Sequence, residues 1–232
     1  MAEAQQRNPT SETLPFKKSD RYKTSSYRAF NFKFPERYDS SLWMRICQTA
    51  RWDEEVVSEL TPGIESLRVL DVGCATGRLL RRLAAADAQR LCGLDLAPRI
   101  VEVARRKLAD EGVHAELKSG DVEEEVPWPD GSFDVVTLTG ALHHFFRPGD
   151  ALRELNRVLC DDGRILIVEP WFPPPVRQLM NLYLRFFSHD GDCRFYAPAA
   201  VARMIEGLGW RGTRYRRVGG YSFLVSGYKG SP

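Results

Sequence analysis

The feature of this sequence that most constrains its fold is residues 68–80, RVLDVGCATGRLL, where a mostly apolar run meets two closely spaced glycines. A run such as the one that begins at Val69 is typical of a parallel strand that is buried on both faces. Gly73 and Gly77 lack a Cβ, so the backbone between them can turn sharply and approach a bound molecule. The stretch therefore predicts a strand, a ligand-binding turn and a helix, with tight packing as the alternative role of the turn.

The rest of the chain alternates short apolar runs with stretches of helical periodicity. The later predicted strands are 90–95, 113–117, 133–139 and 164–170, and the predicted helices are 40–60, 79–88, 98–110, 150–160 and 198–208. A strand pair about Gly219 and Gly220, formed by 211–218 and 221–228, closes the pattern. Strands that alternate with helices at this interval predict right-handed crossovers and a parallel sheet, which is the α/β class.

A carboxylate stands at the end of the second predicted strand. Asp95 has two acceptor oxygens when it is ionised, so at the open edge of a parallel sheet it can accept both hydroxyl groups of a ribose. The alternative is that Asp95 caps the helix that begins near Pro98. Asp95 lies three residues before Pro98, which is one or two residues earlier than an ordinary capping residue. We therefore predict the ribose role.

Ordered motifs over about residues 38–228 resemble those of the class I S-adenosylmethionine-dependent methyltransferases. Residues 69–77 resemble motif I, although Ala75 stands where that family more often has glycine. Residues 133–145 resemble the motif IV region. Within the family the chain looks most like the ubiquinone/menaquinone-biosynthesis type and related small-molecule enzymes, on the basis of Tyr38-Asp39, His143-His144, Arg157-Val158-Leu159 and Ser226-Gly227-Tyr228-Lys229.

This resemblance implies the fold, the cofactor and its binding residues. The fold would be a Rossmann-like doubly wound sheet, mostly parallel with an antiparallel last strand, with helices on both faces. The cofactor would be S-adenosylmethionine, with its methionine part on the glycine loop and its adenine amino group on Asp121, which follows a glycine as in the family. The predicted cofactor-binding residues are Tyr38, Asp71, Gly73, Cys74, Ala75, Gly77, Asp95, Leu96, Asp121, Val122 and Thr139.

Methyl transfer from a sulfonium is an in-line displacement with a neutral leaving group, so we expect neither a metal ion nor a covalent enzyme intermediate. Holding the acceptor in line supplies most of the catalysis, and a base is needed only if the acceptor atom is protonated. The predicted catalytic residues are His143 and His144, at the open end of the fourth strand, and Tyr196. Glu169 and His189 are more distant candidate bases, and each histidine has a hydrogen-bonded wall or loop residue as its alternative role.

The chain divides into three predicted parts. Residues 1–18 are polar and predict a mobile tail, residues 19–62 an N-terminal arm and helix on the substrate side, and residues 63–232 the catalytic domain, with 171–200 as a substrate-side insertion. The basic, aromatic arm either packs its rings on the domain and leaves its charges in water or forms a lid over the substrate. The apolar segment 171–187 is either a pocket wall or a core or dimer face.

Composition limits the compartment and the partners. The formal net charge of +2 gives no global argument for nucleic acid, and the five cysteines show no C-x-x-C spacing. No apolar run is long enough to span a bilayer, so we expect a cytoplasmic protein, monomeric or homodimeric. Its predicted partner is a small, lipophilic or aromatic acceptor that is methylated on oxygen or carbon.

Two other functions are compatible with the sequence. An RNA-modifying methyltransferase is the first, since a basic arm that is rich in aromatic residues can hold phosphates and stack bases. A catalytically silent methyltransferase fold that serves as a binding protein is the second. A nicotinamide-dependent dehydrogenase is disfavoured because the loop lacks the G-x-G-x-x-G spacing.

Overall fold

The computed structural model describes residues 21–33, 35–40, 49–187 and 191–230. The predicted tail 1–18, residues 41–48 of the predicted helix 40–60, and the candidate base His189 lie outside the described residues.

The described residues form seven α-helices and seven strands. The helices are α1 (Arg21–Arg28), α2 (Thr49–Leu60), α3 (Arg78–Ala85), α4 (Pro98–Asp110), α5 (Pro148–Val158), α6 (Pro174–Phe187) and α7 (Pro198–Glu206). The strands are β1 (Arg68–Val72), β2 (Arg90–Asp95), β3 (Glu116–Ser119), β4 (Phe133–Thr139), β5 (Leu159–Pro170), β6 (Arg211–Val218) and β7 (Ser222–Tyr228). A π-helical turn, Ala29–Lys33, continues α1.

All seven strands belong to one sheet, in the order β3-β2-β1-β4-β5-β7-β6. The pairs among β1 to β5 are parallel, whereas β7 runs antiparallel to both β5 and β6. The predicted fold, a mostly parallel doubly wound sheet with an antiparallel last strand, is therefore confirmed.

Helices cover both faces of the sheet because successive strand residues point to opposite sides. Ile165 and Ile167 of β5 pack on one face with α5 and α7. Leu166 and Val168 of the same strand pack on the other face with α2, α3 and α4. The central strands are thus buried on both sides, which explains their nearly continuous apolar sequences.

Several elements differ from the sequence predictions. The predicted helix 150–160 ends at Val158, and β5 begins at Leu159, which pairs with Phe133 across a register shift in the ladder. The third strand is displaced to Glu116–Ser119. The arm carries a helix, α1, that was not predicted, because its position is fixed by packing on the domain, with Tyr27 only 7% exposed.

Candidate cofactor and acceptor site

A cleft opens at the carboxyl ends of β1 and β4, two neighbouring strands from which the chain continues in opposite directions across the sheet. Such a switch point is where open α/β sheets bind their ligands. The cleft is lined by the following predicted site residues: Tyr38, Gly73, Ala75, Asp95, Leu96, Asp121, Val122 and His144. It is also lined by residues that the sequence did not single out: Lys23, Ser26, Phe30, Glu123, Gly140, Ala141 and Phe145.

The glycine loop lies against the floor of this cleft. Gly73 has a φ of +72°, and a Cβ at this position would lie 2.6 Å from the Cβ of Ala141. Its N–H donates to the carbonyl of Leu94 at 2.8 Å, which ties the loop to β2. Ala75 also has a positive φ, 45°, a conformation that glycine adopts more easily. The loop is therefore held in a turn that leaves little room for side chains beside the floor.

Asp95 supports the same loop from the end of β2. Its carboxylate accepts hydrogen bonds from the N–H of Ala75 at 3.0 Å and from the N–H of Ala97 at 3.1 Å. The bond to Ala97 lies directly before α4, but Ala97 is the N-cap residue of that helix, in agreement with the sequence argument that Asp95 is not an ordinary cap. Desolvation raises the pKa of Asp95 to about 6. A carboxylate has about four acceptor sites, so acceptor capacity remains on Asp95 for a ligand.

Asp121 lies in the cleft beside a lysine from the arm. Lys23 Nζ lies 2.6 Å from the carboxylate of Asp121 and 2.9 Å from that of Glu123. Burial by itself would lower the pKa of Lys23, but the hydrogen bonds to the two carboxylates outweigh it, and the pKa is raised. The sequence showed that the arm is basic, but nothing in its pattern distinguished Lys23 from its neighbours.

The arm spans the cleft and is fastened to α4. Asn31 Oδ1 accepts from the N–H of Arg99 at 2.9 Å, in the first turn of that helix. Asp39 binds the hydroxyl of Thr76 and the Nζ of Lys107, both at 2.6 Å. Lys23 and Asp39 of the arm therefore pair with the domain, whereas Arg28, Lys33 and Arg37 are exposed. The arm packs on the domain and keeps part of its charge in water, and a lid role stays a prediction.

His144 lines one end of the cleft, and the ring of His143 lies beside it, 4.2 Å away between centroids. The Nδ1 of His143 lies 2.7 Å from Oε2 of Glu169, whose other oxygen accepts from the N–H of Leu142 at 2.8 Å. Burial would lower the pKa of His143, but Glu169 and Asp192 outweigh it, and the pKa is raised. Burial and the neighbouring His143 lower the pKa of His144 to about 4. His144 is thus neutral near pH 7, and its ring is the one that faces the cleft.

Comparison with known proteins identifies the family. A family model described as a methyltransferase domain matches residues 70–167. A demethylmenaquinone methyltransferase of Thermus thermophilus is 36% identical over 121 residues, which cover 52% of this chain and 54% of the relative. A demethylmenaquinone methyltransferase of Deinococcus radiodurans is 31% identical over 173 residues, 65% of this chain and 70% of the relative. The chain belongs to the class I S-adenosylmethionine-dependent methyltransferases. It spans about half the length of the Thermus relative.

A solved structure shows the same methyltransferase fold. The magnesium protoporphyrin IX methyltransferase of Synechocystis PCC 6803, with bound SAH, superposes with a TM-score of 0.70 at 18% identity. The match covers 89% of this chain and 99% of that one. The sheet and helices described above are therefore those of a known methyltransferase fold.

The cofactor of this methyltransferase family is S-adenosylmethionine, and the cleft fits it. Asp95 retains acceptor capacity for ribose hydroxyl groups after its two backbone bonds. The close approach of Gly73 to Ala141 leaves backbone rather than side chains facing the ligand space. When bound, the cofactor supplies a methyl group on a positively charged sulfur.

Six predicted site residues do not line the cleft. Asp71 is 1% exposed, and its carboxylate accepts from the hydroxyl of Thr137 at 2.8 Å. Burial raises its pKa to about 7. Tyr196 is buried in the core, and burial raises the pKa of its phenol to about 12. The other four are Cys74, Gly77, Thr139 and His143. Direct contact of these six with the cofactor or acceptor therefore stays a prediction.

Asp192 joins the two histidines in a cluster that the sequence did not predict. Its Oδ1 lies 3.2 Å from Nδ1 of His144 and 3.7 Å from Nε2 of His143. One donor atom from each of the three residues lies within 4.8 Å of the others, a donor set that is able to hold a divalent cation. The expectation of metal-free chemistry stays a prediction.

Proposed function

We propose that this methyltransferase methylates oxygen or carbon of a small, lipophilic, aromatic acceptor of the quinol type. The observation that carries the proposal is the end of the cleft beside His144, where Phe30 and Phe145 provide apolar walls next to a single neutral imidazole. The Phe30 and His144 rings lie 5.4 Å apart at an interplanar angle of 86°. An aromatic ring with a hydroxyl group matches such a pocket, since pockets of this kind bury apolar surface and orient it by a few polar groups.

The names of the similar proteins support the same acceptor class. Both relatives described above are demethylmenaquinone methyltransferases. The acceptor of this chain would therefore carry a quinol head, with an apolar tail that leaves the cleft. Cytoplasmic location and a monomeric or homodimeric state belong to the proposal as well.

Different residues of the cleft would bind different parts of the cofactor. Asp95 would accept from the ribose and Asp121 from the adenine amino group, while Tyr38 and Leu96 enclose the adenosine and the loop from Gly73 holds the methionine part. Lys23 occupies Oδ2 of Asp121, and Oδ1 accepts from the N–H of Glu123 at 2.9 Å, so each oxygen has one acceptor site left. Cys74, Gly77, Thr139 and Asp71 would act by shaping the loop and the strand ends.

The histidine cluster would remove the proton of the acceptor hydroxyl. His144 faces the cleft and is neutral near pH 7, so it can accept a proton at a ring nitrogen. The proton would stay on His144, and the carboxylate of Asp192, 3.2 Å from Nδ1 of His144, would stabilise the imidazolium that forms. Glu169 favours the protonated form of His143 through its 2.7 Å contact. Tyr196 would serve as a hydrogen-bond donor rather than a base, since burial keeps its phenol protonated.

The proposal is tested by offering the protein competing methyl acceptors. Purified protein is incubated with methyl-labelled S-adenosylmethionine and either a short-tailed demethylated quinol or unmodified tRNA. We expect label in the quinol. His144→Gln should lower kcat on the quinol by about 100-fold or more while the Kd for the cofactor is kept, because a general base contributes about 10²–10⁴-fold. His114→Gln, at an exposed position, is the matched control.

Label in tRNA alone, or full activity of His144→Gln, would refute the proposal. Activity that a chelator abolishes and a divalent cation restores would assign the histidine cluster to a metal instead of a proton. The RNA alternative is weakened because Lys23 of the arm pairs with two carboxylates and is only 4% exposed. Cofactor binding without transfer to either acceptor would favour the catalytically silent alternative.

A further inference from the structure

Helix α6 presents a row of large apolar side chains to solvent. Among the described residues these are some of the most exposed apolar groups: Val176 at 43%, Leu179 at 68%, Leu182 at 57%, Tyr183 at 55%, Phe186 at 58% and Phe187 at 54%. Their spacing of three and four residues places them on one side of the helix. Exposed apolar patches of this kind mark interaction surfaces in soluble folds.

The opposite side of α6 is fixed to the histidine end of the cleft. The side-chain amide of Asn181 donates to the carbonyl of Phe195 at 3.0 Å and accepts from its N–H at 2.8 Å. The Phe195 ring stacks on His143 at 5.3 Å between centroids. Leu184 packs inwards and is 8% exposed. The helix is therefore held with its apolar side outwards, beside the proposed acceptor site.

The charge around this surface indicates the kind of partner. Residues 171–187 contain Arg177 and Arg185 and no acidic residue. Arg177 donates to the carbonyl of Phe172 at 3.2 Å, whereas Arg185 is exposed, with its guanidinium 6.0 Å from the centroid of the Phe186 ring. An apolar helix side that is flanked by an exposed arginine and by no carboxylate of the same helix complements an anionic interface. A second copy is the competing occupant, and a symmetric contact through this side would gain no salt bridge within α6 itself, because the helix has no acidic residue.

We propose that the apolar side of α6 docks on an anionic lipid bilayer, with its aromatic and leucine side chains in the headgroup boundary and Arg185 on a lipid phosphate. This inference rests on the proposed function in one respect, since a membrane is the source from which a tailed, lipophilic acceptor reaches the cleft. Among the described residues no helix combines the length and apolar character needed to cross a bilayer. The docking proposed for α6 is a contact with the bilayer surface.

The test measures binding to vesicles by co-sedimentation. The full chain is mixed with vesicles of phosphatidylcholine and phosphatidylglycerol, or of phosphatidylcholine alone. We expect binding to the anionic vesicles and much weaker binding to the neutral ones. The double variant Leu179→Ser and Phe186→Ser should lower the partition coefficient by about tenfold or more per side chain, because burial of each such group is worth roughly 1.5–3 kcal/mol.

The matched control is the double variant Tyr215→Ser and Tyr221→Ser, which removes exposed rings from β6 and the turn after it. It should bind vesicles as the unmodified protein does. Arg185→Glu should weaken binding to anionic vesicles only, and high salt should reduce the difference between the two vesicle types.

Three results would overturn the inference. The first is that the protein does not sediment with anionic vesicles, and the second is that the α6 double variant binds them as well as the unmodified protein does. The third is that the unmodified protein is a dimer without lipid and the α6 double variant is a monomer, which would assign the surface to a second copy. A short-tailed soluble quinol separates this inference from the proposed function. If the protein methylates the quinol but does not bind vesicles, only the docking proposal fails. If the protein binds vesicles but does not methylate the quinol, only the acceptor assignment fails.

Discussion

Replacing Asp95 by asparagine tests the cofactor site at its central carboxylate. The asparagine side chain would keep the size of the original one but would present one carbonyl and one NH2 group. The carboxylate accepts from the N–H groups of Ala75 and Ala97. The NH2 group would face one of these two donors, so one bond to the loop would be lost.

The structure gives the size of the effect. A hydrogen bond to a charged group contributes about 1.5–3 kcal/mol and a neutral one about 0.5–1.5 kcal/mol. Turning two charged bonds to the ribose hydroxyl groups into neutral ones amounts to about 2–3 kcal/mol, which is on the order of a 100-fold higher Kd for S-adenosylhomocysteine. The lost bond to the loop is present in the free protein too, so it lowers stability instead. Asp110→Asn, the same charge change at an exposed position at the end of α4, should leave the Kd unchanged.

The pH dependence provides an independent readout of the same carboxylate. Desolvation raises the pKa of Asp95 to about 6, so in the free protein the carboxyl group protonates as the pH falls through this value. The protonated group loses its charge and part of its acceptor capacity. The affinity should therefore be constant above about pH 7 and should fall below about pH 6, by up to about tenfold per pH unit.

Calorimetric titration with S-adenosylhomocysteine between about pH 5 and about pH 8 measures both effects. Thermal unfolding checks that the variant is folded. The reasoning would be refuted if the folded asparagine variant bound the ligand as tightly as the unmodified protein. It would also be refuted if the variant kept the loss of affinity below pH 6, since asparagine does not titrate.

Three further predictions concern stability and the arm. Burial raises the pKa of Asp71 to about 7, so the folded state holds a proton that the unfolded state releases near pH 4, and the free energy of unfolding should fall by roughly 4 kcal/mol as the pH rises from about 4 to 7. Asp71→Asn should remove this slope in urea denaturation, and a persisting slope would contradict the assignment. Gly73→Ala should lower the free energy of unfolding by about 3 kcal/mol or more, because the new Cβ would lie 2.6 Å from that of Ala141. The control Gly112→Ala has a similar φ of +68° and no atom within 4 Å of the new Cβ, so it should lower this free energy by about 1 kcal/mol. Equal losses of stability in the two variants would exclude the clash. Lys23→Met would leave the carboxylates of Asp121 and Glu123 without their shared cation. Amide hydrogen exchange in the arm should become faster and the Kd for the cofactor should rise, whereas unchanged exchange would show that Lys23 does not hold the arm.

Much of the sheet could be predicted from the sequence because the pattern is local. The run from Val69 and the glycines at 73 and 77 encode a strand and a turn within a few residues of one another. The same is true of Asp95, which is placed by the end of its own strand. Boundaries such as the start of β5 at Leu159 were missed because pairing with Phe133 extends the strand through residues that favour a turn.

The sequence by itself determined the fold class, the family and the edge of the sheet at which the cleft opens, since these follow from periodicity and from motifs of neighbouring residues. Only the tertiary structure decided which side chains meet there. Lys23 reaches Asp121 across 98 positions of sequence, and Glu169 reaches His143 across 26. Such pairs depend on strand register and on how the arm crosses the cleft, and no local pattern encodes either. The exposure of the apolar side of α6 is also visible only in the tertiary structure, because the same sequence pattern is compatible with a buried helix and with an exposed one.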